Sequence, residues 1–353
     1  FKIGATAILI DPGMGRKNLF ECIKEVKPEV LIAVPDVYIG RRVFPKTFAS
    51  VKTFIIIDQG GAFKSVIAKL TNSDALNFVE IEETGKPVAF TEKLGANDLA
   101  AIVFTSGGTG KPKGVEYTHK IYEHQVELLK KTYKLTEDDV DLPAFPLFAL
   151  FTLAMGMSVV IPDMDPTKPS QACPQTLVEH ITNHGVSFAG GSPAIWERVS
   201  GYLSANKLTL SSMRSLMMFG APVATRIHKE FKDCLPNGTT YTPYGSTECL
   251  PVSTISGREL LAGALPALTL DGKGTCVGKA ADGTEIKIVA PTETAIGFLD
   301  EARELPVGQI GEIIVKGPQT TRSYHNLEGK TLLAKIYDKD GLWHFEQSYM
   351  PNM

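Results

Sequence analysis

Cysteine is scarce in this chain of 353 residues, and none is paired by spacing: Cys22, Cys173, Cys234, Cys249 and Cys276 are scattered, with no C-x-x-C among them. That excludes a disulfide framework and a zinc knuckle, and it suits a reducing cytoplasm. An excess of positive charge is also missing. The chain has 36 lysines and arginines against 39 aspartates and glutamates, a net charge of −3, and no basic run longer than pairs such as Arg41-Arg42 and Lys130-Lys131. Nucleic acid is therefore not an expected partner. A clean apolar span is lacking as well. The uncharged stretch 142–162 is interrupted by Pro143, Pro146, Thr152, Gly156 and Ser158 and runs straight into "PDMDP", which reads as a buried turn, helix and strand rather than a membrane span. There is no internal repeat, low-complexity tract, initiator methionine or targeting signal. The opening reads as the last turn of a helix (Phe1 to Gly4), a strand (Thr6 to Ile10) and a turn at Asp11-Pro12-Gly13, so the sequence is expected to begin inside an element.

What is present is a hydrophobic content of 43%, enough for a large core, and an α/β rhythm. Gly15 to Lys27 has helical character and stops at Pro28; "EVLIAVP" and "VKTFIIID" read as short buried strands. A strand is expected up to Phe104, a second at Val115 to Tyr117, and an amphipathic helix from Lys120 to Tyr133. A helix-to-strand unit follows in "LVEHITNHGVSFAGGSPA" and another strand in "SLMMFGAPV". Beyond Gly272 the rhythm changes to short antiparallel strands, "EIKIV" and "GEIIVKG". Two regions are expected on this basis, 1–271 and 272–353.

Between the paired strands lies "FTSGGTGKPKGVEYTH", Phe104 to His119, which tests two phosphate-binding patterns by spacing. A Walker loop needs glycine five residues before Gly110 and Ser or Thr after Lys111, but Thr105 and Pro112 stand there. A dinucleotide fingerprint needs a third glycine where Lys113 stands. Both fail. What remains is a glycine-rich connection offering backbone N–H groups, the hydroxyls of Thr105, Ser106 and Thr109, and the ammonium of Lys113. Taken alone, it is equally a polyphosphate cradle or a hairpin of turn-forming residues.

A second stretch, "YTPYGSTECLPV" from Tyr241 to Val252, carries complementary chemistry. Tyr244 can lie flat against a purine, Gly245 admits close backbone approach, Thr247 offers a hydroxyl to a phosphate, and Glu248 offers a hard oxygen to Mg²⁺.

"FTSGGTGKPKGV", "YGSTE" and "GEIIVKG", in this order, resemble the adenylate-forming superfamily of acyl-CoA ligases, luciferases and nonribosomal adenylation domains. The resemblance covers essentially the whole chain. It implies a large N-terminal domain with two packed α/β subdomains and a small distorted β-barrel subdomain, without the C-terminal lid. It also implies ATP and Mg²⁺ as cofactors. Thr105, Ser106, Gly107, Gly108, Thr109, Gly110 and Lys113 would bind the β- and γ-phosphates; Gly220, Ala221 and Pro222 with Thr242, Tyr244 and Gly245 would frame the adenine. Thr247 would meet the α-phosphate and Glu248 would hold the metal, so Thr247, Glu248 and Lys113 are the catalytic candidates. Phe148 and Gly191 would line the acyl pocket.

Further stretches, "VDLPAFPLFALF", "VIPDMDPTKP", "TPYGSTECLPVSTISGREL" and "GKGTCVG", resemble the β-lactone synthetases of bacterial long-chain olefin biosynthesis. The implied reaction activates a long-chain β-hydroxy acid as its acyl-adenylate, releases pyrophosphate, and closes the hydroxyl onto the activated carbonyl. Closure is intramolecular and needs no coenzyme A. The alternative within the superfamily is a long-chain fatty acid–CoA ligase. A thiolase-like enzyme, a ketone reductase and a lactone decarboxylase would be pathway neighbours.

Three positions depart from the superfamily pattern. Gly108 replaces a serine or threonine. Ala149 follows "PLF" where CoA ligases carry histidine, which favours lactone closure. After Trp343-His344 the chain reads "FEQSYMPNM" in place of a stretch ending in a ribose-binding Gly-Asp. With Gly108, this last departure raises a different class of reading, a nucleotide-binding remnant without turnover.

Other residues have plainer readings. His180 and His184 are four apart but lack the H-E-x-x-H order, and a helix-capping role outweighs a metal site. Phe145, Phe148 and Phe151 recur at helical spacing and are core by default. Cys249 has no identifiable histidine partner and is expected to pack.

Overall fold

The computed structural model describes residues 1–57, 74–86, 90–105, 111–272, 274–292 and 294–346. Within it the chain forms two compact units. The first comprises Phe1–His119 together with Ser323–Glu328, and the remaining residues make the second.

The first unit contains two small sheets. Strands β1 (Ala7–Leu9), β2 (Val30–Ala33), β3 (Thr53–Ile56), β4 (Leu76–Asn77), β5 (Leu99–Thr105) and β6 (Lys113–Thr118) sort as β2-β3-β4, all parallel, and β1-β5-β6. Between β1 and β2 runs helix α1 (Arg16–Val26), which buries Cys22 and Ile23 and ends on Lys27 in the left-handed conformation (φ 48°) just before Pro28. Helix α2 (Pro35–Val43) starts with a proline in its first turn beside Asp36 and finishes on Arg41 and Arg42, an order of charges that complements its dipole. These helices and the β2-β3-β4 sheet enclose Ile23, Tyr38, Phe48, Phe54 and Ile56, and a short helix, α3 (Phe78–Thr84), follows β4. The expected helical turn at Phe1 to Gly4 is a single turn, closed by Gly4 N–H on Phe1 O at 3.0 Å; φ of +74° at Gly4 takes the chain out of helical geometry.

The β1-β5-β6 sheet is extended by a segment from far down the sequence. Tyr324 bridges to Val115, Glu116 N–H donates to Ser323 O at 3.2 Å, and His325 N–H donates to Gly114 O at 2.7 Å. Side chains reinforce the seam: Glu116 accepts from Ser323 Oγ at 2.5 Å and meets His325 Nδ1 at 2.8 Å.

The second unit is built on a seven-stranded sheet. Its strands are β7 (Val140–Pro143), β8 (Ser158–Val159), β9 (Phe188–Gly191), β10 (Ser215–Met218), β11 (Thr239–Ser246), β12 (Cys249–Ser256) and β13 (Lys279–Ala280), in the order β13-β12-β11-β10-β9-β7-β8. The five from β8 to β11 in that order are parallel; β12 and β13 turn antiparallel. All residues of β9 and β10 are buried, as expected for central parallel strands covered on both faces. One face is covered by α6 (Pro174–Asn183), α7 (Pro193–Asn206) and α8 (Thr225–Cys234), through Leu177, Ile181, Trp196, Leu203 and Phe231. The other carries α4 (His119–Tyr133) and the short α5 (Ala149–Ala154), through Tyr133, Phe151 and Met155. Residues 142–162 thus form the end of β7, a 3₁₀ turn, α5 and β8, and among the described residues no helix is long and apolar enough to cross a membrane. A separate four-stranded antiparallel sheet, β14 (Glu285–Val289), β15 (Glu312–Lys316), β16 (Lys335–Asp338) and β17 (Gly341–Phe345), closes around Trp343, Ile314 and Ile336 in the order β14-β15-β17-β16.

Candidate functional site

In the first unit the expected phosphate loop is framed as anticipated by two antiparallel strands. Thr105 is the last residue of β5 and pairs in register with Lys113, the first of β6. The second strand therefore begins two residues earlier than Val115, with Lys113 as its first residue. Ser106, Gly107, Gly108, Thr109 and Gly110 lie outside the described residues. The Lys113 ammonium lies 4.8 Å from the centroid of the Tyr324 ring, a cation–π contact supplied by the returning segment.

The second unit gathers the remaining candidates at one end of its sheet. Register aligns Gly191 with Met218 and Met217 with Tyr241. The carboxyl ends of β9 and β10, with the same level of β11, thus present Gly191, the stretch Gly220-Ala221-Pro222, and Thr242 to Gly245. This end of an open parallel sheet is where ligands bind in α/β proteins. Gly220 has φ of +85°, a conformation open to glycine that lets the chain turn off β10.

Strands β11 and β12 form a hairpin whose tip is Thr247-Glu248, with Ser246 opposite Cys249. The pairing shifts between Tyr244 and Ser246, and Gly245 makes that bulge possible. Its φ is +155°, and a Cβ there would stand 2.6 Å from Cys249 O. Tyr244 is half-buried against Cys249, Val252 and Val315. The Thr242 hydroxyl faces inward, 3.3 Å from Nε2 of His228, whose Nδ1 meets Thr240 Oγ1 at 2.7 Å. Burial pulls this imidazole down to about 4.

A polar layer not anticipated from the sequence holds the hairpin tip. The Glu248 carbonyl accepts from Thr321 N–H at 2.9 Å and Thr321 Oγ1 at 3.0 Å, and the Thr321 carbonyl accepts from Lys335 Nζ at 2.6 Å. Lys335 is only 2% exposed. Burial pulls its ammonium down to about 8, against the opposing pull of Glu248, Cys249 and Glu346. Ser246 Oγ donates to Glu346 at 3.0 Å. Cys249 packs as expected: it is buried 3.4 Å from Thr320 Oγ1, and desolvation pushes its thiol up to about 12, the reverse of an activated nucleophile.

Glu248 suits a divalent cation as one hard carboxylate of a shared ligand set. Among the described residues no three His, Cys, Asp or Glu side chains cluster to form a complete cage, and Mg²⁺ is commonly held by one or two carboxylates together with substrate phosphates. His184 caps α6, its N–H on His180 O at 3.2 Å, and the two rings meet edge-on.

Beside the strand ends lies an apolar cavity of about 20 Å³, lined by Leu135, Phe148, Phe151, Met155, Phe188 and Met217 among others. Phe148 and Phe219 are half-buried, with ring centroids 4.6 Å apart. Gly190 lines the cavity, whereas its neighbour Gly191 serves close packing: a Cβ there would stand 2.8 Å from Ala144 Cβ. One carboxyl also lines it. Asp141, on β7, accepts from Thr152 Oγ1 at 2.6 Å, and burial pushes it up to about 7 against that hydrogen bond.

Comparison with known proteins bears on the family and the fold. Residues 1–325 match the family described as AMP-binding enzyme. The chain is 38% identical over 337 residues to an olefin beta-lactone synthetase of Stenotrophomonas maltophilia, covering 95% of this chain and 58% of that protein. It is also 38% identical over 340 residues to the olefin beta-lactone synthetase of Xanthomonas campestris pv. campestris, covering 96% and 58%. The chain thus spans 58% of the length of each of these two relatives. In fold it resembles the long-chain-fatty-acid-CoA ligase FadD1 of Archaeoglobus fulgidus, with a TM-score of 0.70, 22% identity, and coverage of 97% of this chain and 64% of that one. Motifs, fold and sequence similarity together establish that this chain belongs to the AMP-binding enzyme family.

Proposed function

We propose that the protein activates a long-chain β-hydroxy fatty acid with ATP, forming the acyl-adenylate and releasing pyrophosphate, and then closes the hydroxyl onto the activated carbonyl to give a β-lactone. The observation that carries this reading is the hairpin tip Thr247-Glu248, braced by Thr321, on the same sheet whose parallel strands end at an apolar cavity. A carboxylate attacking the α-phosphorus brings two anions together, so donors must be oriented before the reaction and not during it. In this reading Thr247 donates to the α-phosphate, while Thr105 and Lys113, with the loop between them, bind the β- and γ-phosphates. Gly220, Ala221 and Pro222 with Thr242, Tyr244 and Gly245 frame the adenine; Phe148 and Gly190 form the acyl wall, with Gly191 letting Ala144 pack behind it. Glu248 would hold Mg²⁺, which offsets charge on the triphosphate.

Lactone closure is supported by the similarity to olefin beta-lactone synthetases and by Ala149, a buried methyl after Phe148 where CoA ligases carry histidine. The second reading is a long-chain fatty acid–CoA ligase. All five cysteines are free, which supports a reducing compartment such as the cytoplasm.

The test is to incubate the protein with ATP, Mg²⁺ and a 2-alkyl-3-hydroxy acid, with and without coenzyme A. AMP, pyrophosphate and a lactone formed without coenzyme A are the expected products. An acyl-CoA as sole acyl product moves the assignment to the second reading. ATP binding without acid-dependent pyrophosphate exchange overturns both and leaves a nucleotide-binding protein without turnover.

A further inference from the structure

We propose that Gln125 and Gln319 are positioning residues for adenylation: their side-chain amides hold the strand behind Glu248 in a bulge, and that bulge sets where the Thr247-Glu248 tip points. The proposal rests on the role given to the tip above and assigns it a support. Between the pairs Tyr244–Ser253 and Ser246–Cys249, β11 supplies one residue, Gly245, whereas β12 supplies three, Leu250, Pro251 and Val252. A ladder cannot run through that mismatch, so the carbonyls of β12 must find other donors.

Side chains supply them. Gln125 Nε2, reaching from α4, donates to Leu250 O at 3.1 Å, and Gln319 Nε2, from the segment after β15, donates to Pro251 O at 2.9 Å and to Thr284 Oγ1 at 2.8 Å. On its other side β12 is held only from Val252 onward, where the carbonyl accepts from Ala281 N–H at 2.9 Å before pairing with β13 begins. Pro251 has no N–H to offer either neighbour. The carbonyls of Glu248, Leu250 and Pro251 are thus gripped in turn by Thr321, Gln125 and Gln319. Filling space does not call for glutamine at these positions. Gln125 and Gln319 are 1% and 0% exposed, and Oε1 of each is buried with no hydrogen-bond partner among the described residues. Each amide therefore leaves an acceptor unmatched in order to place its donor. What the donors secure is aim. Groups that meet developing charge act only when already oriented, and a displacement of about 1 Å can lower a rate about a hundredfold.

The test combines exchange kinetics with thiol labelling of the native protein. Gln125→Met and Gln319→Met keep the side-chain length and remove the donor; Gln125→Met, which loses one bond where Gln319→Met loses two, is the milder variant. Each is expected to lower kcat for acid-dependent pyrophosphate exchange about tenfold or more while KM for ATP stays within about twofold. Labelling by N-ethylmaleimide, read for each cysteine by mass spectrometry, reports local opening. Cys249, buried beside Glu248, should be labelled several-fold faster in the variants, whereas Cys234, buried in α8 of the same unit, should keep its wild-type rate. Tyr133→Phe removes a hydrogen bond to Thr254 Oγ1 lower on β12 and should leave exchange near wild type. Wild-type exchange in both glutamine variants overturns the proposal. So does a loss of exchange with Cys249 labelled at its wild-type rate, or with Cys234 accelerated as much as Cys249, which marks general destabilisation. A wild-type protein without exchange, whose glutamine variants still expose Cys249 alone, sinks the ligase reading and leaves the hold on the tip standing.

Discussion

Asp139 and Asp141 stand two residues apart where β7 begins, and the protein drives their carboxyls in opposite directions. Burial works to raise both. At Asp139 it is overcome by hydrogen bonds from Arg214, from Ser187 Oγ at 2.6 Å and from Thr136 N–H at 2.9 Å, so the carboxyl lies below its ordinary 3.8. At Asp141 only Thr152 opposes burial, and the carboxyl rises to about 7.

For Asp139 the folded value is depressed, so its stabilisation is full above the ordinary value and is lost as pH falls through the depressed one. Asp139→Asn is expected to destabilise the protein on the order of 1 kcal/mol at neutral pH, since it removes the buried anion that Ser187, Thr136 and the half-exposed Arg214 all face. The difference from wild type should shrink below 3.8. Urea unfolding across the acid range measures it.

Asp141 behaves with the opposite sign. Its folded value is raised, so its contribution is full below 3.8 and is lost as pH rises through about 7. Asp141→Asn is therefore expected to flatten the decline of stability over that interval. At pH 8 the variant should be more stable than wild type, by an amount on the order of a few kcal/mol. Urea midpoints at pH 5 and pH 8 decide the matter.

The bracing of the hairpin tip predicts a division between chemistry and support. Thr247→Ala and Glu248→Gln should lower acid-dependent pyrophosphate exchange about 10²–10³-fold, the usual effect of removing an oriented group at developing charge. Lys335→Met should lower exchange less and lower the melting temperature more, because Thr321 then loses the donor to its carbonyl. Cys249→Ala should leave exchange near the wild-type rate.

Lys113 supplies a comparison by substitution. Its ammonium over the Tyr324 ring predicts that Tyr324→Phe keeps the KM for ATP while Tyr324→Leu raises it about two- to fivefold, the usual scale of a cation–π contact. Lys113→Met should raise it further in the same assay.

Much of the local structure was legible before any coordinates. The strands around the glycine-rich loop, the helix from Lys120 to Tyr133 and the broken segment 142–162 follow from period, proline and glycine, which act over a few residues. What escaped depends on contacts distant in sequence. "VDLP" shows a carboxylate in a strand, but nothing in the four letters reveals that Asp141 faces phenylalanines and methionines. Lys335 reads as a solvated charge until β16 carries it under Thr321. The Glu116–His325 pair spans 209 positions, beyond any periodicity, and Gly190 and Gly191 look interchangeable until packing separates the residue that lines the cavity from the one that lets β7 approach.

The seam between β6 and Ser323–His325 bears on how the molecule is made. Strand β6 leaves the ribosome with β5 on one side and bare N–H and C=O groups on the other, and its second partner emerges some two hundred residues later. Until then the exposed edge is a template for another nascent chain. Fragments ending before Ser323 should therefore aggregate more readily than longer ones, whatever their share of the catalytic groups.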